Sequence, residues 1–475
     1  MKHLKLTIAC LFLCSAIHAQ TPQSLNDTLT ARFNRGDYKG FYALGSVQWQ
    51  QNNKEEGIEG WLNYIQALCG SIKTAHFDHA AHDTSYFTWD GQKKMMSFLL
   101  KTSGSGHFDS FDFRDYHLPA TAIALQPIPT DNPRKTRLDM AVHNSTVDFM
   151  VTHKLIGLSI GIVRDGKKYT YNYGTVEKGK AQLPGSTTTF ELASVTKTFT
   201  GILLAQAILD KKLQLTDDIR KYMNGDFPNL QYQDHPIRIV DLSNHTSGLP
   251  VELPNLDTFK NAFDVLRMYD SYTNAQFLAD IRKVKIDTLP GTRYGYSNAG
   301  VKLLGIILEK VYGQTYAGLL KKYITGPMQM KHTRIASAIS DTTSYTKGYD
   351  GLSNPMPHVN FNMFGGAGSI LSTAKEMLNY VEQNISEQIP AVKLAHRQTF
   401  ASADGAMGLC WQINRKTVNG TRIWKSGGAL GFRSYLAVVP EKKIGIIWLS
   451  NRSDLPEEEL SDMVDKLLQE ALKEE

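Results

Sequence analysis

The sequence predicts an α+β protein built from two domains. A chain of 475 residues is too long for one ordinary core. Helical stripes near the N-terminus give way to period-two strand patterns from Ile72 onward. Farther along, strand patterns at the two ends of the second part enclose a stretch of helices and long loops. Hydrophobic residues at 42% and charged residues at 21% are those of a soluble globular chain.

Residues 1–19 read as a secretory signal peptide. Met1-Lys2-His3-Leu4-Lys5 is a basic start, Leu6 to Ala16 a short apolar run, and Ile17-His18-Ala19 an acceptable cleavage site. The apolar run is too short to span a membrane, and no later segment is long and apolar enough. The expected location is therefore periplasmic or extracellular, with a lipid anchor on Cys10 or Cys14 disfavoured by the large Leu13 and the short run before Cys10. Cleavage leaves Cys69 and Cys410, two distant thiols that do not make a disulfide framework and read as packed residues. The formal charge of +6 falls to 6 − 2 = +4 once Lys2 and Lys5 are removed, with no basic block, which argues against nucleic acid as a partner.

Residues 20–118 form the first domain. Leu25 to Phe33, Tyr38 to Trp49 and Lys54 to Leu68 read as helices, the third with Ile58, Trp61, Leu62, Ile65 and Leu68 on one stripe. Ile72 to His79, Ser85 to Trp89, Lys94 to Thr102 and His107 to Phe113 then alternate as antiparallel strands, with turns at Asp90-Gly91 and Ser103-Gly104-Ser105-Gly106. His76, His79 and His82 near Asp78 and Asp83 invite a metal reading. On a regular strand, however, His76 and His79 face opposite sides, so polar strand surface is expected and no metal.

Residues 119–137, with Pro119, Pro127, Pro129 and Pro133, read as a linker. The second domain covers 138–475. Leu138 to Lys154 is a helix, and Leu158 to Arg164 and Lys168 to Tyr173 flank the hairpin signal Asp165-Gly166. From Asp217 to about Met377 helices and long loops dominate. Strands return at Leu409 to Asn414, Thr421 to Trp424, Ser434 to Val439 and Ile444 to Leu449, and Pro456 to Leu472 closes the chain as a helix.

Chemistry concentrates in this domain. Ser194-Val195-Thr196-Lys197 precedes the helical apolar run Phe199, Ile202, Leu203, Leu204, Ala207 and Ile208. With Ser194 opening that helix, Lys197 lies one turn on, on the same face. A hydroxyl needs a neighbouring base to become a nucleophile, and a desolvated Lys is one. Ser344-Tyr345-Thr346-Lys347 and Ser372-Thr373-Ala374-Lys375 share the spacing. The first does not read as a helix, and Ser372 reads as an N-cap. Tyr294-Gly295-Tyr296-Ser297-Asn298 follows the turn Pro290-Gly291 and offers a phenol for proton relay and an amide for a carbonyl; the plainer reading is a turn Tyr and a helix-capping Asn. Lys425-Ser426-Gly427-Gly428 sits at the end of one strand pattern, where a Lys can meet an anion and glycines admit a substrate backbone; the plainer reading is a hairpin with a solvated Lys. Gly157-Leu158-Ser159-Ile160-Gly161 matches the lipase-type nucleophile motif, but its strand runs on to Asp165-Gly166 instead of turning into a helix.

The order Ser-x-x-Lys, Tyr-x-Asn, Lys-Ser-Gly resembles the serine β-lactamase and penicillin-binding-protein superfamily, and within it the class C β-lactamase-related serine hydrolases. His245-Thr246-Ser247-Gly248-Leu249-Pro250, Pro290-Gly291-Thr292, Leu303-Leu304-Gly305 and Gly365-Gly366-Ala367-Gly368 also match. The sequence departs at Pro327-Met328-Gln329-Met330 and at Leu242-Ser243-Asn244-His245. The resemblance covers about Leu138 to Leu472. The order of elements in the first domain resembles nuclear-transport-factor-2-like folds. For the second domain the resemblance implies a β-lactamase/transpeptidase-like fold, an antiparallel sheet flanked by helices with an inserted helical region. It implies hydrolysis of an amide, peptide, β-lactam or ester bond through an acyl-enzyme, with a small-molecule or peptide acyl substrate and no cofactor. Ser194 is then the nucleophile, with Lys197 and Tyr296 moving its proton. Backbone N–H groups of Ser194 and Gly428 form the oxyanion hole, Asn298 holds the substrate amide, and Lys425 and Ser426 contact its carboxylate. Many esterase-like members have His where this chain has Lys425. The rival readings are a penicillin-binding-like sensor or binding protein that acylates without turnover, and a general esterase.

Overall fold

The computed structural model describes residues 21–81, 83–102, 106–115, 128–255, 265, 268–269, 271–336, 344–358, 363–402, 405–417 and 419–473. The signal-peptide reading of 1–19, His82, Ser103 to Ser105 and linker residues 119–127 lie outside the described residues. The chain divides into two compact units, Met1–Tyr116 and His117–Glu475.

In the first unit four helices, Pro22–Asn34, Tyr38–Tyr42, Val47–Asn52 and Glu55–Cys69, precede an antiparallel meander of Ile72–Ala81, Thr84–Gly91, Met95–Thr102 and Phe108–Asp115. The helix expected over Tyr38 to Trp49 is two. Ser46 starts the second by accepting the Trp49 N–H, so the chain turns at Leu44-Gly45. The meander and helices meet in an aromatic core of Phe33, Phe87, Trp89, Phe98 and Phe113. His76 and His79 do not face opposite sides. A bulge between Phe77 and His79 inserts one residue, so they pair with Thr88 and Tyr86, which share a face. His79 stacks on Tyr86 with ring centroids 4.4 Å apart, and no metal-binding group of side chains is found among the described residues.

The second unit is organised by an eight-stranded antiparallel sheet. From edge to edge it runs Phe400–Ser402, Gly405–Met407, Gln412–Thr417, Gly420–Ala429, Phe432–Val439, Ile444–Ser450, Gly157–Arg164 and Lys167–Gly174. The first two strands of the unit in sequence therefore close onto its last, and the helical region between them in sequence sits on one face. The strand expected over Leu409 to Asn414 begins only at Gln412: Gly408 to Trp411 form the turn that joins it to strand Gly405–Met407, with Cys410 at φ 62°. Alternation decides which face each residue serves. Ile444, Ile446 and Trp448 pack with helices Arg137–Thr152 and Glu457–Leu472, whereas Ile447 and Leu449 face the helices Thr196–Leu209 and Ala374–Ser386. Helix Arg137–Thr152 starts with a capping box of Thr136 and Asp139. Residues 129–132 of the expected linker are bound to the edge strand: Pro129 O accepts from Gly174 N, and Asp131 accepts from both Asn172 N and Asn172 Nδ2.

The lipase-type motif is a packing motif. Ser159 lies mid-strand, fully buried, and donates to Asn172 Oδ1 at 2.6 Å. A Cβ on Gly161 would fall 2.9 Å from Leu378 Cδ2, so the glycine lets helix Ala374–Ser386 lie on the sheet. Ser372 is not an N-cap. It ends strand Ile370–Ser372 and pairs with Thr333 Oγ1 at 2.7 Å, while Thr373 caps the helix by accepting from Glu376 N. Cys69 and Cys410 are buried free thiols. Among the described residues no helix is long and apolar enough to cross a membrane.

Candidate active site

Ser194 does not open the α-helix itself. It sits in a 3-10 turn, Ala193–Val195, directly before helix Thr196–Leu209, and Ala193 ahead of it holds φ 46°. A non-glycine residue at that φ is strained and is retained where surrounding structure fixes it. The fixing contacts are visible: Ser434 Oγ donates to Leu192 O at 2.7 Å, and Leu192 N donates to Ile370 O at 2.9 Å.

Lys197 follows one turn later, fully buried. Its Nζ donates to Ser194 Oγ at 2.9 Å, to Asn298 Oδ1 at 2.6 Å and to the Ala367 carbonyl at 2.6 Å. Three donors meet three oxygens, none of them a carboxylate. Burial therefore drives its pKa down to about 7, with Cys410 and Glu252 pulling weakly the other way. The Ala367 carbonyl is set by the turn Gly365–Ala367, which Thr200 Oγ1 holds through Gly366 O at 2.6 Å.

Tyr296 OH is 2.6 Å from Ser194 Oγ and 3.2 Å from Asn298 Oδ1. Burial raises its pKa, while Lys425 and the Ser194 bond lower it by less, so the phenol stays protonated near neutrality. Lys197 and Lys425 nitrogens each lie 5.0 Å from the Tyr296 ring centre. His245 packs against the same ring and accepts the Ser297 N–H on Nδ1 at 3.1 Å. Ser297, not Asn298, caps helix Asn298–Tyr312, accepting from Gly300 N at 2.9 Å. That leaves Asn298 free to face Lys197. Since a Lys ammonium only donates, Oδ1 is the atom turned to it in that state, and Nδ2 donates to Glu252 Oε1 at 3.1 Å.

Lys425, Ser426, Gly427 and Gly428 are not at a strand end. Strand Gly420–Ala429 runs through all four, paired with Phe432–Val439, and the turn comes at Leu430-Gly431. A Cβ on Gly427 would fall 2.4 Å from Leu192 O and 3.0 Å from Ser194 N, so this strand presses directly on the Ser194 turn. Lys425 is buried, with Gln412 Oε1 3.4 Å from its Nζ, and burial lowers its pKa. Ser426 Oγ donates to Glu457 Oε2 at 2.8 Å.

Ser194, Lys197, Tyr296 and Asn298 thus meet in one hydrogen-bonded cluster, and the Lys425 strand lines it. Among the other Ser-x-x-Lys serines, Ser372 is buried in the Thr333 and Glu376 network, and Ser344 pairs its carbonyl with Thr189 N. Sequence reasoning missed Glu252, Glu457 and the Ala367 carbonyl. The first two belong to no motif, and the third is a backbone atom inside a glycine-rich stretch that side-chain reading passes over.

A family model described as Beta-lactamase matches residues 142–470. The β-lactamase of Escherichia coli K12 is 27% identical over 352 residues, covering 66% of this chain and 88% of that protein. The D-alanyl-D-alanine-carboxypeptidase/endopeptidase AmpH of the same organism is 26% identical over 333 residues, covering 66% and 84%. Among solved structures, a class C β-lactamase superposes with a TM-score of 0.62 at 26% identity over 71% of this chain and 98% of that one. A β-lactamase/D-alanine carboxypeptidase from Yersinia pestis gives 0.62 at 25% identity, over 71% and 99%. The chain belongs to the Beta-lactamase family and is a β-lactamase-related serine hydrolase.

Proposed function

We propose that the protein is an exported hydrolase that cleaves amide, peptide, β-lactam or ester bonds through an acyl-enzyme on Ser194. The observation that carries this reading is the place of Ser194 Oγ, 2.9 Å from Lys197 Nζ and 2.6 Å from Tyr296 OH. Burial disfavours charge on both neighbours, which makes Lys197 a base near neutral pH and keeps Tyr296 a phenol. Lys197 takes the Ser194 proton as the hydroxyl attacks the acyl carbonyl. Tyr296 passes a proton to the leaving atom as its bond to the acyl carbon breaks. The Ser194 and Gly428 N–H groups donate to the oxyanion, and Asn298 orients the acyl side. Lys425 and Ser426 line the leaving-group side. Water then attacks the Ser194 ester, with the same two residues moving its proton, and the acid product departs. Export rests on the leader pattern of residues 1–19. The kinship to β-lactamases and a D-alanyl-D-alanine carboxypeptidase supports a β-lactam or D-peptide-like acyl group.

The test is covalent labelling. Ser194→Ala should abolish both labelling by a fluorescent penicillin or fluorophosphonate and turnover of an activated ester. Labelling that survives in Ser194→Ala, or is lost only in Ser159→Ala or Ser372→Ala, would sink the assignment. A Ser194 adduct that forms and never clears would point to a sensor instead.

A further inference from the structure

A carboxylate of the protein itself sits at the leaving-group end of the site. Glu457 begins helix Glu457–Leu472 and accepts the Ser426 hydroxyl at 2.8 Å. Arg433 Nη2 is 3.8 Å from the same oxygen, Glu457 Oε2. Arg433 is the cross-strand partner of Gly428, and its guanidinium lies over that glycine, where a Cβ would come within 2.5 Å of Nη1. The charge on Glu457 is felt at Lys425, Tyr294 and Tyr296. So Lys425, Ser426 and Arg433 form a cationic, hydrogen-bonding end of the cleft that already holds a carboxylate.

The plain explanation is helix electrostatics: Glu457, Glu458 and Glu459 all fall in the first turn, where negative charge is favoured. That accounts for an acidic first turn. It does not account for one of the three taking the Ser426 hydroxyl beside Arg433. A serine has one proton to donate. While Glu457 holds it, a substrate carboxylate loses that donor and also meets a like charge. A neutral ester, amide or interior peptide bond meets neither obstacle.

We propose that Glu457 sets substrate choice by filling the subsite made by Lys425, Ser426 and Arg433, and so directs the enzyme to acyl compounds uncharged at that end over those ending in a free carboxylate. This rests on the reading of Ser194 as the nucleophile and narrows it.

The experiment uses the full purified chain and a pair of D-amino-acid depsipeptides that differ only in a free carboxylate against its methyl ester on the leaving group. The quantity read is kcat/KM for the acid divided by kcat/KM for the ester, within each enzyme. Wild type should give a ratio of about one or below. Glu457→Gln should raise the ratio at least tenfold, about 1.4 kcal/mol, and Glu457→Ala should move it the same way, with thermal melting used to verify that each variant is folded. A wild type that prefers the acid tenfold, or a ratio that stays within twofold in both variants, overturns the proposal. Turnover with an unmoved ratio removes this proposal alone. A wild type that turns over neither compound and forms no Ser194 adduct removes the nucleophile assignment, and this proposal with it.

Discussion

Lys197 Nζ lies 2.9 Å from Ser194 Oγ, and its other two hydrogen bonds go to the neutral oxygens of Asn298 and Ala367. A buried ammonium with no carboxylate in contact is poorly stabilised, and burial brings its pKa down to about 7. Acylation should therefore be slow at pH 5, rise through pH 7 as Lys197 loses its proton, and hold a plateau beyond pH 9, because burial moves the Tyr296 phenol upward from its usual range. Tyr296→Phe should lower the plateau about a hundredfold or more while leaving the rising limb where it is. Lys197→Met should remove activity and the limb together. Pre-steady-state labelling across pH 5 to 10 checks this; a wild-type limb centred above pH 9 would contradict the role given to Lys197.

Glu191 precedes the nucleophile turn by two residues and is buried, with the Tyr345 hydroxyl donating to Oε1 and no partner for Oε2 among the described residues. Burial pushes its pKa up to about 8, and the Tyr345 bond only partly opposes this. The folded state thus keeps a proton that the unfolded chain gives up near pH 4.5. The contribution is present in full below that unfolded value and is lost as pH rises through 8. Glu191→Gln, which cannot ionise, should match wild type in urea unfolding at pH 4 and exceed it increasingly from pH 5 to 8, levelling off above. The gap should reach on the order of 5 kcal/mol once pH exceeds both values, the free energy that corresponds to a pKa moved from 4.5 to about 8. A constant difference across that range would mean that Glu191 does not titrate in the fold.

Much of the site was legible because its residues are local. Ser194 and Lys197 are one helical turn apart, so spacing alone suggests their meeting, whereas Tyr296 and Asn298 are read through the order of motifs that resembles the family. The apolar run Ile444 to Leu449 likewise reads as a strand; that both of its faces are buried is a finding of the fold. What stayed hidden depends on long-range placement. Ala367 reaches Lys197 from 170 residues away through a carbonyl, a group every residue has. Glu457 meets Ser426 from 31 residues away through a side-chain contact, and its first-turn position has an ordinary explanation. A single inserted residue near Asp78 reversed which face His79 takes, and nothing in the pattern marked it. Gly427-Gly428 reads as a turn by every local rule, yet both glycines still pair within strand Gly420–Ala429, just before its end, where the strand passes close to Ser194.

That close passage gives the last prediction. Gly427 faces the Ser194 turn so tightly that an added methyl would lie 2.4 Å from both Leu192 O and Ser434 Oγ, and 3.0 Å from Ser194 N. Those first two atoms are bonded to each other at 2.7 Å, so neither moves without loosening the turn from the sheet. Leu192 is also tied to Ile370, which restricts escape in the other direction. Gly427→Ala should therefore shift the Ser194 turn by a fraction of an ångström to about 1 Å. It should cost about 1–3 kcal/mol in stability, as overpacking does, and at least about a hundredfold in acylation rate through misplacement of the nucleophile. The two effects separate by measurement: melting reports the first, and labelling by a fluorescent penicillin at a temperature where both proteins are folded reports the second. A folded Gly427→Ala that labels at the wild-type rate would show that the approach of strand Gly420–Ala429 does not fix the nucleophile.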